Sequence, residues 1–191
     1  MRVDPPREPA AEAVARAAAT GDRAAFGDLY GAYAEDVARL CRRLLGPGAE
    51  ADDARSEAFF RAQQALASYD PARPFRRWLL AIAAHHCLDR LRRRHVEGRL
   101  FTEAELSELE LPATAPSPLG LALARERREA LLAALDALPE RHRAPLVLRY
   151  FAELPYDAIA ELLGVTTNDV GVLLFRAKAR LRQALAEGGG R

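Results

Sequence analysis

Apolar residues recur at three- and four-residue intervals between Phe26 and Leu44, through Leu29, Tyr30, Tyr33, Val37, Leu40 and Cys41. That period predicts a helix of about 20 residues, opened by Asp22 as N-cap and ended by Gly46-Pro47-Gly48. A second helix is predicted over 50–67, burying Ala51, Ala54, Ala58, Phe59, Ala62 and Leu66. Its outer side is charged, with Asp52, Asp53, Glu57 and Arg61. After a loop over 68–74, the stretch 75–95 predicts a third helix with two apolar stripes. Phe75, Trp78, Leu79, Ile82 and His86 share one face, while Leu80, Ala84, Cys87, Leu88 and Leu91 lie roughly opposite. An amphipathic surface helix has one stripe; a helix with two belongs between neighbours. Residues 21–95 therefore read as one all-α domain, preceded by a loose Pro-rich start and a short alanine-rich helix over 9–20.

Helical periodicity resumes after residue 118. Helices are predicted over 119–138, with Leu131, Leu132, Leu135 and Leu138 on the apolar side, and over 139–151. Pro139 suits a first turn, and Pro145 should bend that helix or shorten its start. An eight-residue helix over 156–163 buries Tyr156, Ile159, Ala160 and Leu163. Gly164-Val165-Thr166 turns the chain into a last helix over 167–186, and 188–191 is a disordered tail. Between the two helical sets, 96–118 carries Glu103, Glu105, Glu108 and Glu110 with Pro112, Pro116 and Pro118. This is an acidic, Pro-containing linker, with a turn of helix expected near 103–109. The fold class is all-α: two small helical domains, 21–95 and 119–187, joined by that linker.

Charge adds a division that hydropathy does not show. The net charge of +1 conceals −3 over 1–70, +6 over 71–99, −5 over 100–140 and +3 over 141–191. Two basic blocks separated by an acidic one predict two places for a polyanion. In the third helix Arg76, Arg90 and Arg94 line a further face and span about 27 Å at 1.5 Å per residue. Guanidinium forks bind phosphate oxygens bidentately; the alternative is a solvated basic helix end that favours the helix dipole.

Other chemistry is excluded. Cys41 and Cys87 stand far apart without a CxxC pattern, as buried thiols of a reducing cytosol do. His85, His86 and Cys87 resemble metal ligands, but adjacent helical residues point about 100° apart and cannot close round one ion. No glycine-rich phosphate loop and no nucleophile beside a base is present, so neither an enzyme nor a cofactor is expected. No apolar run approaches the ~20 residues of a membrane span. A soluble, cytoplasmic protein with no membrane insertion is expected.

The short helix, glycine-containing turn and longer basic helix of 156–186 make a helix-turn-helix signature, with Ala160, Gly164, Val170 and Leu174 where the helices cross. With Val170, Leu174, Ala177 and Leu181 inward, the outward face holds Asn168, Val172, Phe175 and Ala179. Arg176, Lys178, Arg180 and Arg182 flank it. Asn168 can bond an adenine edge, Val172 and Phe175 can touch thymine methyls, and the arginines can hold phosphates.

Together these stretches resemble the extracytoplasmic-function (ECF) sigma factors, the small two-domain sigma subunits of bacterial RNA polymerase. FGDLYGAYAEDVARLCRRLLG is similar to the first region-2 helix, AEADDARSEAFFRAQQAL to the polymerase clamp-gripping helix, and FRRWLLAIAAHHCLDRLRRR to the promoter-melting helix. ALDALPERHRAPLVLRYFAELPYDAIAELLGVTTNDVGVLLFRAKARLRQAL is similar to region 4. The resemblance implies a transcription initiation factor that binds core RNA polymerase and promoter DNA. Asp52, Asp53, Ser56, Glu57 and Arg61 would dock on the clamp, and the apolar side of the helices before the helix-turn-helix on the flap. The loop 69–74, with Tyr69, Asp70 and Arg73, would receive an unstacked base of the −10 element. Phe75, Arg76 and His85 would guide single-stranded DNA, and Arg90, Arg92, Arg93 and Arg94 would hold upstream duplex phosphates. Thr167, Asn168, Asp169, Val172, Phe175, Arg176 and Lys178 would read the −35 element. The acidic linker would thread the RNA path, and an anti-sigma factor is a further partner of this class.

Three departures from the family pattern stand out. Ala54-Arg55-Ser56 replaces large apolar or amide residues in the clamp helix. Ala84-His85 replaces an Arg-Asn pair in the melting helix, and Gly171-Val172-Leu173-Leu174-Phe175 replaces a Lys-Ser-Arg-Leu-His series. Gly171 also costs about 1 kcal/mol of helix propensity relative to alanine. These departures motivate the alternative of a stand-alone helix-turn-helix regulator, or a sigma-like protein turned to protein contacts.

Overall fold

The computed structural model describes residues 15–16, 19–94 and 121–188. Helix α1, Arg23–Leu45, begins where Asp22 accepts hydrogen bonds from the backbone N–H groups of Ala24 (2.9 Å) and Ala25 (3.1 Å). Two of the orphan donors of the first turn are thereby satisfied. α2, Ala49–Ala65, runs on through a 3-10 turn at Leu66–Ser68, and α3 is Phe75–Arg94. Each of these three helices packs on the other two. Their shared core takes Leu29, Tyr33, Val37, Leu40 and Leu44 from α1, and Leu79, Leu80, Leu88 and Leu91 from α3. α2 contributes mostly small residues, Ala51, Ala54, Ala58 and Ala62, with Phe59 as its one large buried side chain. Both predicted stripes of α3 are buried, apart from Trp78 and Ile82, which are partly so.

The second group comprises α4 (Leu121–Ala137), α5 (Glu140–Leu146), α6 (Tyr156–Leu163) and α7 (Thr167–Gly188). Pro145 lies inside α5, and beyond it the helix widens into a π turn, Val147–Phe151. The Ala152 N–H closes that turn on the Val147 carbonyl at 3.0 Å. Proline has no amide donor for the turn before it, and the irregularity of this helix is the π turn that follows. Leu146, Val147, Leu148, Ile159, Val170, Leu174 and Ala177 form the core of this group. Gly164 stops α6 in the left-handed conformation (φ 69°), where its own N–H and that of Val165 satisfy the last carbonyls.

The two groups also touch one another, α1 against α5 and its π turn, and α3 against α6. The helix predicted over 9–20 falls largely outside the described residues, although Ala15 is buried. The linker 96–118, with its turn near 103–109, and the tail beyond Gly188 lie outside them too. No strand occurs among the described residues, and no helix there is by itself long and apolar enough to cross a membrane.

Candidate nucleic-acid and polymerase interface

The loop ahead of α3 is built to hold its shape. The Tyr69 hydroxyl donates to the Arg73 carbonyl at 2.6 Å. The Asp70 carboxylate accepts from the Ala72 N–H at 2.9 Å, and the Arg73 N–H reaches the Asp70 carbonyl at 3.0 Å. Asp70 to Arg73 are exposed on this frame. Tyr69 and Phe75, both expected to touch DNA, are instead buried. Phe75 is 1 % exposed, with its ring centre 5.4–5.5 Å from those of Tyr33, Tyr69 and Trp78. It is therefore closed to stacking by a base, and its ring serves to anchor the loop. Trp78, which sequence reasoning assigned only to the core, is the partly exposed ring of this cluster and lies 5.1 Å from Tyr69.

The arginines of α3 do not make one open row. Arg76 donates from Nε to Asp36 at 2.7 Å and from its Nη atoms to Glu153 (3.2 Å) and the Phe151 carbonyl (3.4 Å). Burial pushes the Asp36 carboxyl up, but the hydrogen bonds and charges of Arg76 and Arg39 outweigh it and hold it below its ordinary range. Arg90 donates to His86 Nε2 (3.1 Å) and to the Glu50 carbonyl (3.5 Å), tying α3 to α2. Burial first, then the charges of Arg61 and Arg90, depress His86, which suits its role as a neutral acceptor. Arg92 bridges Asp89 (2.7 Å) and the Leu162 carbonyl, and Arg94 pairs with Glu50 and approaches Glu140 at 3.8 Å. Arg93 is exposed. His85 is also exposed, 3.4 Å from Asp89, whereas Ala84 is fully buried. The open side of α3 carries Arg77 and His85. Arg77 has helical spacing with His85, eight residues on, and lies apart from the Arg76, Arg90 and Arg94 face.

On the outer side of α2, Asp52, Asp53, Ser56 and Arg61 are exposed and Glu57 is partly so. Arg61 donates to Glu57 at 2.7 Å, and the Ser56 hydroxyl donates to the Asp52 carbonyl at 3.1 Å. Phe60 stands among them 55 % exposed. It is an exposed apolar side chain on an otherwise charged face.

In the helix-turn-helix, Thr166 and Asp169 cap α7 reciprocally. Asp169 accepts from the Thr166 hydroxyl (2.6 Å) and N–H (2.9 Å), and its own N–H donates to the Thr166 hydroxyl at 3.2 Å. Those bonds hold the Asp169 carboxyl below its ordinary range. Asp169, expected among the −35 readers, is thus engaged in starting the helix. Thr167, Asn168, Phe175 and Lys178 are exposed, Val172 and Arg176 partly so. Leu173 joins Leu174 in the core, and Lys178 Nζ lies 5.1 Å from the Tyr150 ring centre.

Residues 29–96 match the model of sigma-70 region 2, and residues 128–181 that of sigma-70 region 4. Over 172 residues the chain is 30% identical to the ECF RNA polymerase sigma factor SigW of Bacillus subtilis, covering 87% of this chain and 92% of that one. It is 35% identical over 189 residues to the ECF RNA polymerase sigma factor SigE of Mycolicibacterium smegmatis, covering 97% of this chain and 71% of the other. The solved structure of CnrH in complex with the cytosolic domain of CnrY superposes with a TM-score of 0.58 at 26% identity, over 93% of this chain and 98% of that one. The chain belongs to the ECF sigma factors, which bring RNA polymerase to promoters and initiate transcription.

Proposed function

We propose that this sigma factor, acting in the bacterial cytoplasm, divides its work between residues 21–95 and 119–187. The outer face of α2, with Asp52, Asp53, Ser56, Glu57 and Arg61 around Phe60, docks on the polymerase clamp. The loop 69–74 takes an unstacked −10 base between Asp70 and Arg73, with Trp78 offering the ring and Tyr69 and Phe75 holding the frame. Arg77 and His85 line the single strand, and Arg76, Arg90, Arg92, Arg93 and Arg94 hold backbone phosphates. Thr167, Asn168, Val172, Phe175, Arg176 and Lys178 face the −35 element, and the apolar sides of α4 and α5 rest on the polymerase flap. As CnrH was solved with the cytosolic domain of CnrY, an anti-sigma factor is a fitting partner here. Nothing in this scheme needs catalysis by the chain itself.

The observation that carries this reading is the shaped, exposed loop beside a half-open tryptophan, at the head of a helix with an open basic side. Reconstitution with core polymerase and a promoter library is the test. Transcripts starting downstream of a shared two-element motif are expected, with the −10 preference lost in Trp78→Ala. Binding to duplex DNA without binding to core polymerase would favour the stand-alone regulator instead.

A further inference from the structure

His85 belongs to a stripe that runs down the open side of α3. Trp78, Ala81, Ile82, His85 and Asp89 share this side at helical spacing, and among them His85 alone is fully exposed. Ala81 and Ile82 form a low apolar floor between the two rings. At 1.5 Å per residue, His85 stands about 10 Å along the helix from Trp78, so the two rings address different nucleotides of one strand.

The ring is oriented by its own helix. His85 Nε2 faces Asp89 Oδ2 at 3.4 Å, with the two side chains 60% and 32% exposed. Asp89 Oδ1 accepts a 2.7 Å bond from Arg92, so both carboxylate oxygens are engaged. An ionised carboxylate accepts hydrogen bonds and donates none. In the neutral ring the proton therefore sits on Nε2, beside the carboxylate, and Nδ1 is left as an acceptor. His86 is the contrast: it is buried, and its Nε2 accepts from Arg90 at 3.1 Å. The helix thus sets adjacent histidines in opposite tautomers. The asparagine of the family pattern offers a donor and an acceptor alike, whereas an imidazole fixed in this way offers an acceptor only.

We infer that His85 is a specificity-determining residue that selects an amine-bearing base, adenine or cytosine, in the −10 strand, with Asp89 as its positioning residue. On the major-groove edge the exocyclic amines of adenine and cytosine are the only hydrogen-bond donors; guanine shows N7 and O6 there, and thymine O4, all acceptors. Nδ1 of His85 bonds such an amine, whereas a keto oxygen would set lone pair against lone pair. The inference rests on the reading of this side of α3 as the track of the single strand.

The test uses holoenzyme reconstituted with the full chain, at pH 8, on fluorescein-labelled promoters whose −10 segment is left unpaired. Each nucleotide of that segment is varied in turn, and affinity is read by anisotropy. One position is expected, distinct from the one whose preference Trp78→Ala removes, where adenine or cytosine is favoured. There, exchanging the amine for oxygen, as hypoxanthine or uracil does, should weaken binding about threefold to tenfold. His85→Ala should abolish that difference at that position alone. Asp89→Asn, whose amide can donate to Nε2 as well as accept from it, should shrink the difference; circular dichroism checks that this variant is folded. His85→Asn, which is not fixed as an acceptor, should shrink it too, and serves alone if Asp89→Asn is not folded. Absence of such a position, or a difference that survives His85→Ala, overturns the assignment to His85. A difference lost in His85→Ala but unchanged in folded Asp89→Asn overturns the role of Asp89. In either case the track reading stands if Trp78→Ala or Arg77→Ala weakens binding to the unpaired segment. If neither does, the track reading itself fails.

Discussion

Asp36 is the residue on which the position of Arg76 depends, and its removal has a calculable cost. Its carboxylate takes the 2.7 Å bond from Arg76 Nε and a second bond from Arg39, with the Asp36 and Arg76 side chains 17% and 25% exposed. Exposed pairs contribute about 0–1 kcal/mol, and loss of one partner of a buried pair costs about 3–5 kcal/mol. This pair is intermediate, so Asp36→Asn should cost about 2 kcal/mol. For a chain of this length, that lowers the melting temperature by about 4–8 °C. The carboxyl titrates below its ordinary value in the folded chain, so between the folded and unfolded values the unfolded chain holds more protons. Its contribution is therefore complete above the unfolded value of about 3.9 and disappears as pH falls through the folded value. Urea titrations of wild type and Asp36→Asn at pH 7, 5 and 3 would show a gap that is full at the first two and narrowed at the third. A gap under about 0.5 kcal/mol at pH 7, or one that persists undiminished at pH 3, refutes this account.

Gly171 and Gly164 should respond in opposite directions to the same change. A Cβ meets nothing within 4 Å at either position, but only Gly164 has positive φ. Gly171→Ala should stabilise by about 0.5–1 kcal/mol through helix propensity, and Gly164→Ala should destabilise by about 1–2 kcal/mol, both read from thermal melts. The Cys41 and Cys87 thiols are fully buried and hydrogen-bonded to each other, and that bond together with burial pushes Cys87 well above the ordinary thiol range. Neither should react with iodoacetamide in the native protein and both should after denaturation, as mass spectrometry would report. Ala84→Arg, which restores the family's arginine, should cost about 3 kcal/mol or more because it inserts a charge into filled core; a wild-type melting temperature would contradict the burial of Ala84.

Local features of the fold were legible. The Asp22 cap, the glycine stop at Gly46 and the eight-residue α6 before Gly164 each depend on a few neighbouring residues, and the chain displays them directly. The double stripe of α3 was likewise readable, because burial on both faces leaves a periodic trace. What was not legible depends on partners distant in sequence. Nothing near Arg76 indicates that Asp36 and Glu153 will meet it, 40 positions before and 77 after. Phe75 carries two readings, a place on a buried stripe of α3 and a role in guiding DNA, and its burial against Tyr33 leaves only the first. The role of Asp169 could have been read, since Thr166 three residues earlier makes a capping pair, but the same carboxylate also fitted a base-reading pattern.

The structure also changes the meaning of the three departures from the family pattern. Ala54, Ala84 and Leu173 are buried, so those substitutions concern packing and leave the partner surfaces unaltered. Arg55, Ser56, His85, Val172 and Phe175 are the ones with exposed or partly exposed side chains. Under the proposed assignment of surfaces, divergence that bears on recognition is therefore confined to a few positions on the clamp-facing, strand-facing and −35-facing sides. On the proposed −35 face, Asn168 offers an exposed amide and Phe175 an exposed apolar ring, while Arg180 and Arg182 are exposed further along α7. Apolar contact releases no counterions, whereas arginine on phosphate does. Under the proposed assignment, affinity for the −35 duplex and discrimination among its sequences are expected to come from different side chains, the first sensitive to salt and the second nearly indifferent to it.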